Sequence, residues 1–146
     1  MPIDIDNFSR KLVVNAPDAI IYADADGLIH FWNRCAERIF GFSQPDALGK
    51  SLDIIIPEQL RKRHWEGYMR TMRTGVTRYG VSDVLAVPAI RKDGSRISVE
   101  FTILPFTDQD EVIGIAAILR DVSSRFKEIK DLRATLAAAQ AGDAVL

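Results

Sequence analysis

The chain reads as an α+β protein built around one antiparallel sheet, and three observations predict it. Ile97, Val99, Phe101 and Ile103 alternate with Ser98, Glu100 and Thr102, which gives a strand with one buried face and one wet face. Apolar runs in both halves of the chain are joined by tight-turn sequences, Asp24-Ala25-Asp26-Gly27 and Arg91-Lys92-Asp93-Gly94. Between them, Pro57 to Tyr68 carries its apolar residues at a helical spacing of ~3.6 residues. The predicted order is two strands, several short helices, three strands and a last helix.

The elements follow in turn. Asp4-Ile5-Asp6 gives an acidic start to a short amphipathic helix bearing Phe8, Leu12 and Val13, which Asn15-Ala16-Pro17 ends. Ala19 to Ala23 and Leu28 to Trp32 form a hairpin about the Asp26-Gly27 turn. Asn33 caps a helix over Arg34 to Phe40, and Gly41 stops it. Ser43-Gln44-Pro45-Asp46 opens a further helical turn, Gly49 ends it, and Leu52 to Ile56 lead into the long helix. The strands Val81 to Ile90 and Arg96 to Leu104 flank Asp93-Gly94. Thr107 to Asp110 turns the chain into Val112 to Leu119, a run so apolar that it is predicted to lie centrally in the sheet, covered on both faces. Ile129, Leu132, Leu136 and Ala139 follow the steps of a coiled-coil seam, with residues 137–146 expected to fray.

The long helix carries the strongest chemical signal. Proline suits the first turn, where its missing N–H costs nothing, and Glu58 faces the positive end of the helix dipole. Leu60, His64, Tyr68 and Met72 share one side, whereas Lys62, Arg63, Glu66, Arg70 and Arg73 share the other. A histidine on the apolar stripe of a cationic helix is either satisfied by a neighbour or placed to bind something. His30 has no motif around it and reads as structural. Glu37, Glu58 and Glu66 lie among cations and read as surface ion pairs.

Composition sets outer limits. The 146 residues fit one domain with short terminal segments, and 47% hydrophobic with 27% charged residues suits a globular protein. A net charge of −1 argues against a nucleic-acid binder, and the basic helix face reads as a solvated surface. No apolar run reaches the ~20 residues that span a bilayer, and the N-terminus is no signal peptide, so a cytoplasmic protein without membrane contact is expected. One cysteine, Cys35, gives neither a disulfide nor a thiolate cluster and reads as a small buried residue. No phosphate loop, hydrolytic triad or multi-ligand metal spacing occurs, which argues against an enzyme.

The order of elements, with Asn15-Ala16-Pro17-Asp18-Ala19-Ile20, Trp32-Asn33, Ile39-Phe40-Gly41-Phe42, Leu48-Gly49-Lys50, Lys92-Asp93-Gly94 and Arg120-Asp121-Val122-Ser123, resembles the PAS sensory domain. The resemblance runs from about Leu12 to Ser123. It implies a five-stranded antiparallel sheet with short helices on one face, enclosing a ligand-sized pocket, here with a helix at each end. The chain divides accordingly into an N-terminal cap at 1–11, the PAS domain at 12–123 and a C-terminal helix and tail at 124–146. The fold alone names no ligand.

Three ligand classes are weighed on residues. Flavin photosensors of the light-oxygen-voltage kind carry a reactive cysteine in a Gly-x-Asn-Cys-Arg motif; Gly49-Lys50-Ser51-Leu52-Asp53 puts Leu52 in its place, so flavin adduct chemistry is not expected. The haem-binding PAS oxygen sensors of rhizobial nitrogen fixation place their proximal histidine in a Pro-Glu-x-x-Arg-x-x-His stretch followed by tyrosine. Pro57-Glu58, Arg61, His64 and Tyr68 match it, which implies His64 as the axial metal ligand. Leu60, Tyr68, Leu85, Val87, Phe101, Ile103 and Ile115 are then the candidate cofactor-binding residues, with Arg61, Arg73 or Arg78 to pair propionates. The gas-stabilising arginine of that family falls at Leu85, whose apolar side chain offers oxygen no hydrogen bond, so CO, NO or a redox change fits better. The third class is an organic ligand or none, with Trp32, Trp65, Phe101 and Phe106 lining a pocket or simply filling the core.

The expected function is a cytoplasmic sensory module that binds a small ligand, possible haem on His64 included, and signals through a homodimer or a partner protein in trans. The other reading is a cofactor-free dimerisation and interaction module with His64 a hydrogen-bonded core residue. Output in trans is expected because no kinase, cyclase or DNA-binding segment follows Ser123. The terminal stripes, Phe8, Leu12 and Val13 with Phe126, Ile129, Leu132 and Leu136, are expected at the dimer interface.

Overall fold

A computed structural model describes residues 2–77, 80 and 83–145, with side chains to residue 142. Helix α1 (Ile5–Asn15) precedes the hairpin β1 (Ala19–Asp24) and β2 (Ile29–Trp32). Helices α2 (Arg34–Phe40) and α3 (Gln44–Ala47), a 3-10 turn (Leu52–Ile55) and α4 (Glu58–Thr74) follow. Strands β3 (Leu85–Ile90), β4 (Arg96–Asp108) and β5 (Glu111–Asp121) complete the sheet before α5 (Ser123–Val145). Neighbouring strands are antiparallel in the order β2-β1-β5-β4-β3. This is the α+β architecture that the resemblance implies.

Alternation decides which face carries the core. The pairs Leu85↔Phe101, Val87↔Val99, Ile103↔Ala117 and Ile21↔Ala117 place these side chains on one inner face. The helices pack there around Ile21, Trp32, Phe40, Val99 and Leu119. Asn33 ties three elements together from a buried position. Its Oδ1 accepts from Ile20 N–H and Ala36 N–H at 3.0 Å each, and its Nδ2 donates to Val13 and Asp18 carbonyls at 2.9 and 3.0 Å. One side chain thus caps α2 and fixes α1 to the start of β1.

Four expectations are corrected. The strand expected from Val81 begins at Leu85; Val81 and Ser82 lie outside the described residues. The central strand β5 is covered on one face only, because Ile118 on its outer side is 45% exposed. Helix α1 meets α2 instead, and the start of α5 is tied to β4 through Val122 N–H, just before the helix, to Ser98 O, Ser98 N–H to Ser123 Oγ and an Arg125–Glu100 ion pair. Helix α5 continues to Val145 rather than fraying at residue 137, as its alanine-rich end has high helix propensity. Finally, β4 runs past the turn expected at Thr107, to Asp108; the reversal needs only Gln109 and Asp110, both at positive φ (50° and 66°), a hairpin turn of the I′ kind.

Candidate functional site around His64

Helix α4 forms as its stripes predict. Lys62, Arg63, Glu66, Arg70 and Arg73 are exposed; Leu60, His64 and Met72 are half-buried and Tyr68 is buried. Two side chains fasten its inner face. The Tyr68 hydroxyl donates to Asp24 O at 2.6 Å, with Ala23 O at 3.2 Å, pinning the helix middle to the end of β1. The Trp65 indole N–H donates to Asp53 Oδ1 at 2.7 Å, pinning the turn before it to the 3-10 segment. Arg61 closes the helix start, donating to Ile56 O at 3.0 Å and Asp53 O at 3.2 Å.

His64 lies between these anchors without one of its own. Its Nδ1 is buried and has no hydrogen-bond partner. Its ring centroid lies 4.7 Å from that of Trp65 and 5.7 Å from that of Tyr68. The expectation of a core histidine satisfied by a backbone carbonyl is therefore corrected. Burial holds the imidazole pKa below its ordinary value, and the Asp53 charge opposes this in part. The ring is thus biased toward the neutral form, the form that offers a nitrogen lone pair to a metal. Burial, helped by the Asp24, Tyr22 and Asp26 charges, pushes the Tyr68 phenol up, so it stays a protonated donor.

The predicted site residues fall into two groups. Leu60, His64 and Tyr68 form one stripe of α4. Leu85 and Val87 on β3, Phe101 and Ile103 on β4, and Ile115 on β5 share the inner face of the sheet. Leu85, Phe101, Ile103 and Ile115 are half-buried, and Val87 on the edge strand is 40% exposed. Of the arginines, Arg61 is turned to Ile56 and Asp53, Arg73 is exposed, and Arg78 lies outside the described residues. Among the described residues no cluster of three or more His, Cys, Asp or Glu could hold a metal ion.

Other assignments are settled by contacts. Cys35 is buried, its thiol directed at Pro17 O at 3.2 Å. Trp32 is core, its indole N–H on Phe42 O at 3.0 Å, whereas Phe106 stands on the outer face beside Tyr22. His30 Nε2 lies 2.6 Å from Asp24 Oδ2, a partner the sequence did not reveal. Partial burial raises the Asp24 carboxyl, but hydrogen bonds from Leu28, His30 and Asp26 outweigh it and leave it below its ordinary value. Glu37 accepts from Gln44 N–H at 2.8 Å, capping the next helix; no ion pair among the described residues includes Glu37, Glu58 or Glu66. Asp53 is the site residue that sequence reasoning missed, and a tryptophan next to the histidine was its only signal.

A sheet in this order, with short helices on one face and a histidine-bearing helix across it, defines a PAS-type sensory domain. The profile of the PAS fold matches residues 7–122, and the chain belongs to the PAS family. It is 32% identical over 94 residues to the sensor protein FixL of Bradyrhizobium diazoefficiens, covering 64% of this chain and 18% of that one. Against the oxygen sensor protein DosP of Escherichia coli it is 28% identical over 127 residues, covering 86% of this chain and 15% of that one. The chain therefore spans less than a fifth of these relatives. The crystal structure of a PAS domain from Colwellia psychrerythraea superposes with a TM-score of 0.71 over 83% of this chain and 99% of that one, at 20% identity, a likeness of fold alone. Among the described residues no helix is long and apolar enough to cross a membrane.

Proposed function

We propose that this PAS domain is a cytoplasmic haem-based sensor module, with His64 as the axial iron ligand. One observation carries the reading: a half-buried imidazole on α4 whose Nδ1 has no partner. Leaving a buried polar atom unbonded costs about 1–3 kcal/mol, a cost that a folded chain bears where the group has another use. The names of the relatives, a sensor protein and an oxygen sensor protein, support the same direction.

The chemistry of the residues around His64 supports the reading. His64 would hold the iron, with Leu60 and Tyr68 beside it. Leu85, Val87, Phe101, Ile103 and Ile115 would give the ring an apolar sheet face and exclude water from it. Arg61, with one unengaged nitrogen, would be the residue to meet a propionate, whereas Arg73 lies on the opposite, exposed side of α4. Haem would supply an iron centre that takes a diatomic gas or changes oxidation state. Leu85 offers no hydrogen bond on the sheet side, so CO, NO or redox change is the favoured signal class.

Residues 12–123 are the sensing unit in this reading, and 1–11 and 124–146 pass the signal on. The chain works as a homodimer: α1 buries none of its residues, and the apolar side chains of α5 and of the outer sheet face need a surface to cover them. Output goes to a partner protein through those helices. Expression with a haem precursor tests the cofactor: a red protein with a Soret band is expected, and a colourless protein that takes up no added haemin would contradict the reading in favour of a cofactor-free interaction module.

A further inference from the structure

We infer that Trp65 is the positioning residue for the His64 imidazole, locked in place by Asp53 on one side and Gly27 on the other. The inference rests on the reading of His64 as the ligand-binding group. A ligating histidine ordinarily has its ring direction set by a hydrogen bond at its second nitrogen. His64 has no such bond, so packing must set the direction.

Consecutive residues on a helix do not face each other. The edge contact between the His64 and Trp65 rings, at 4.7 Å and 76°, is therefore imposed from outside the helix. Two anchors impose it. The indole N–H is held by Asp53 Oδ1 at 2.7 Å. The far edge of the indole lies over Gly27, where a Cβ would collide with Trp65 Cη2 and Cζ3. Gly27 has φ +78°, so the turn itself also requires glycine.

The anchors brace each other. Leu52 N–H donates to Gly27 O at 3.0 Å, and Leu52 is covalently joined to Asp53. Asp53 is held by Ser51 Oγ, which accepts its N–H at 3.1 Å, and by Arg61, which donates to its carbonyl. Gly27 N–H donates to Asp24 O at 2.9 Å, the carbonyl that also receives the Tyr68 hydroxyl. The indole thus closes a ring of contacts from the β1–β2 turn through the 3-10 segment to α4, and it presents a fixed wall to His64.

The test uses the full chain with Trp65→Leu, Trp65→Phe and Gly27→Ala, read in two ways. The first is the NMR position of the His64 ring protons without haem, assigned by their loss in His64→Ala, with His30 as internal control. The second is haemin affinity by absorbance titration. Trp65→Leu and Gly27→Ala should move the His64 resonances toward those of a free histidine and weaken haemin binding about tenfold or more, and Trp65→Leu should leave those of His30 in place. Trp65→Phe, which keeps a ring but loses the N–H, should give a smaller shift in the same direction and decides the matter should Trp65→Leu fail to fold. His64 resonances and haemin affinity unchanged in Trp65→Phe and Gly27→Ala would overturn the inference. A native chain that binds no haemin through His64 overturns the cofactor reading instead, and the resonances without haem still decide the positioning.

Discussion

In the role proposed for it, His64 shows what a binding residue would cost its fold. It contributes half-buried ring surface but no hydrogen bond, so its polarity is a burden in the unloaded protein. Replacing it with leucine keeps similar volume and removes the unbonded nitrogen. His64→Leu is expected to fold and to match the native chain or exceed it by up to about 1 kcal/mol in urea unfolding without haem. A loss of about 2 kcal/mol or more would mark His64 as structural. Tyr68 is the opposite case, a buried hydroxyl that works for stability. Its phenol is harder to ionise in the folded chain than in the unfolded one. Its contribution is therefore complete below the unfolded phenol pKa of about 10 and is lost as pH rises above it. Tyr68→Phe should lower stability at neutral pH by about 1 kcal/mol, since it deletes the hydroxyl's bond to Asp24 O, which keeps only the bond from Gly27 N–H. The gap to the native chain should narrow as pH rises above about 10 in parallel urea titrations; a gap that stays constant would contradict the account.

At the scale of elements, the turns carry the clearest test. Gly94 has φ +84°, as the Lys92-Asp93-Gly94 sequence predicts, and a Cβ built there would meet nothing within 4 Å. Gly94→Val therefore isolates backbone strain from packing and should destabilise by about 1–2 kcal/mol; an unchanged melting temperature would contradict the assigned turn. Local signals of this kind were legible throughout. Asn33 and Ser43 cap α2 and α3, and the charged and apolar sides of α4 fall where its spacing puts them. What stayed hidden depends on contacts distant in sequence. Asp53 and Trp65 meet across a segment of 12 residues, and Gly27 and Trp65 meet across the hairpin and three short helices. Neither pair leaves a periodic trace. The turn expected at Thr107 to Asp110 does contain the reversal at Gln109 and Asp110, but its start is not marked in the sequence, because neither residue in the left-handed conformation is glycine and β4 runs on to Asp108.

Over the whole molecule, the open question of the fold is where its apolar surfaces go. Leu104, Phe106 and Ile118 stand 45–47% exposed on the outer sheet face. Leu12, Phe126, Leu132 and Leu136 are more than half exposed on the terminal helices. Scattered apolar residues are normal on a surface, but stripes on three elements call for a shared cover. The homodimer proposed above supplies it. Sedimentation at tens of micromolar should show a dimer that weakens in Leu132→Asp, in Ile118→Arg and on deletion of residues 1–11. A native monomer at that concentration would remove this part of the account. The sequence announced the terminal stripes but not the bare sheet face, because burial of β5 was inferred from its own composition and not from what packs on it.

The central claim, that the His64 imidazole is an iron ligand, is tested most directly by taking it out and putting it back. His64→Gly leaves space where the ring stood, and free imidazole can enter it. The native chain should bind one haem per protomer with a Soret band, His64→Gly should lose that band or shift it, and added imidazole should restore the native spectrum. Haem bound equally well by His64→Gly, with a spectrum like that of the native chain and unmoved by imidazole, would contradict the account.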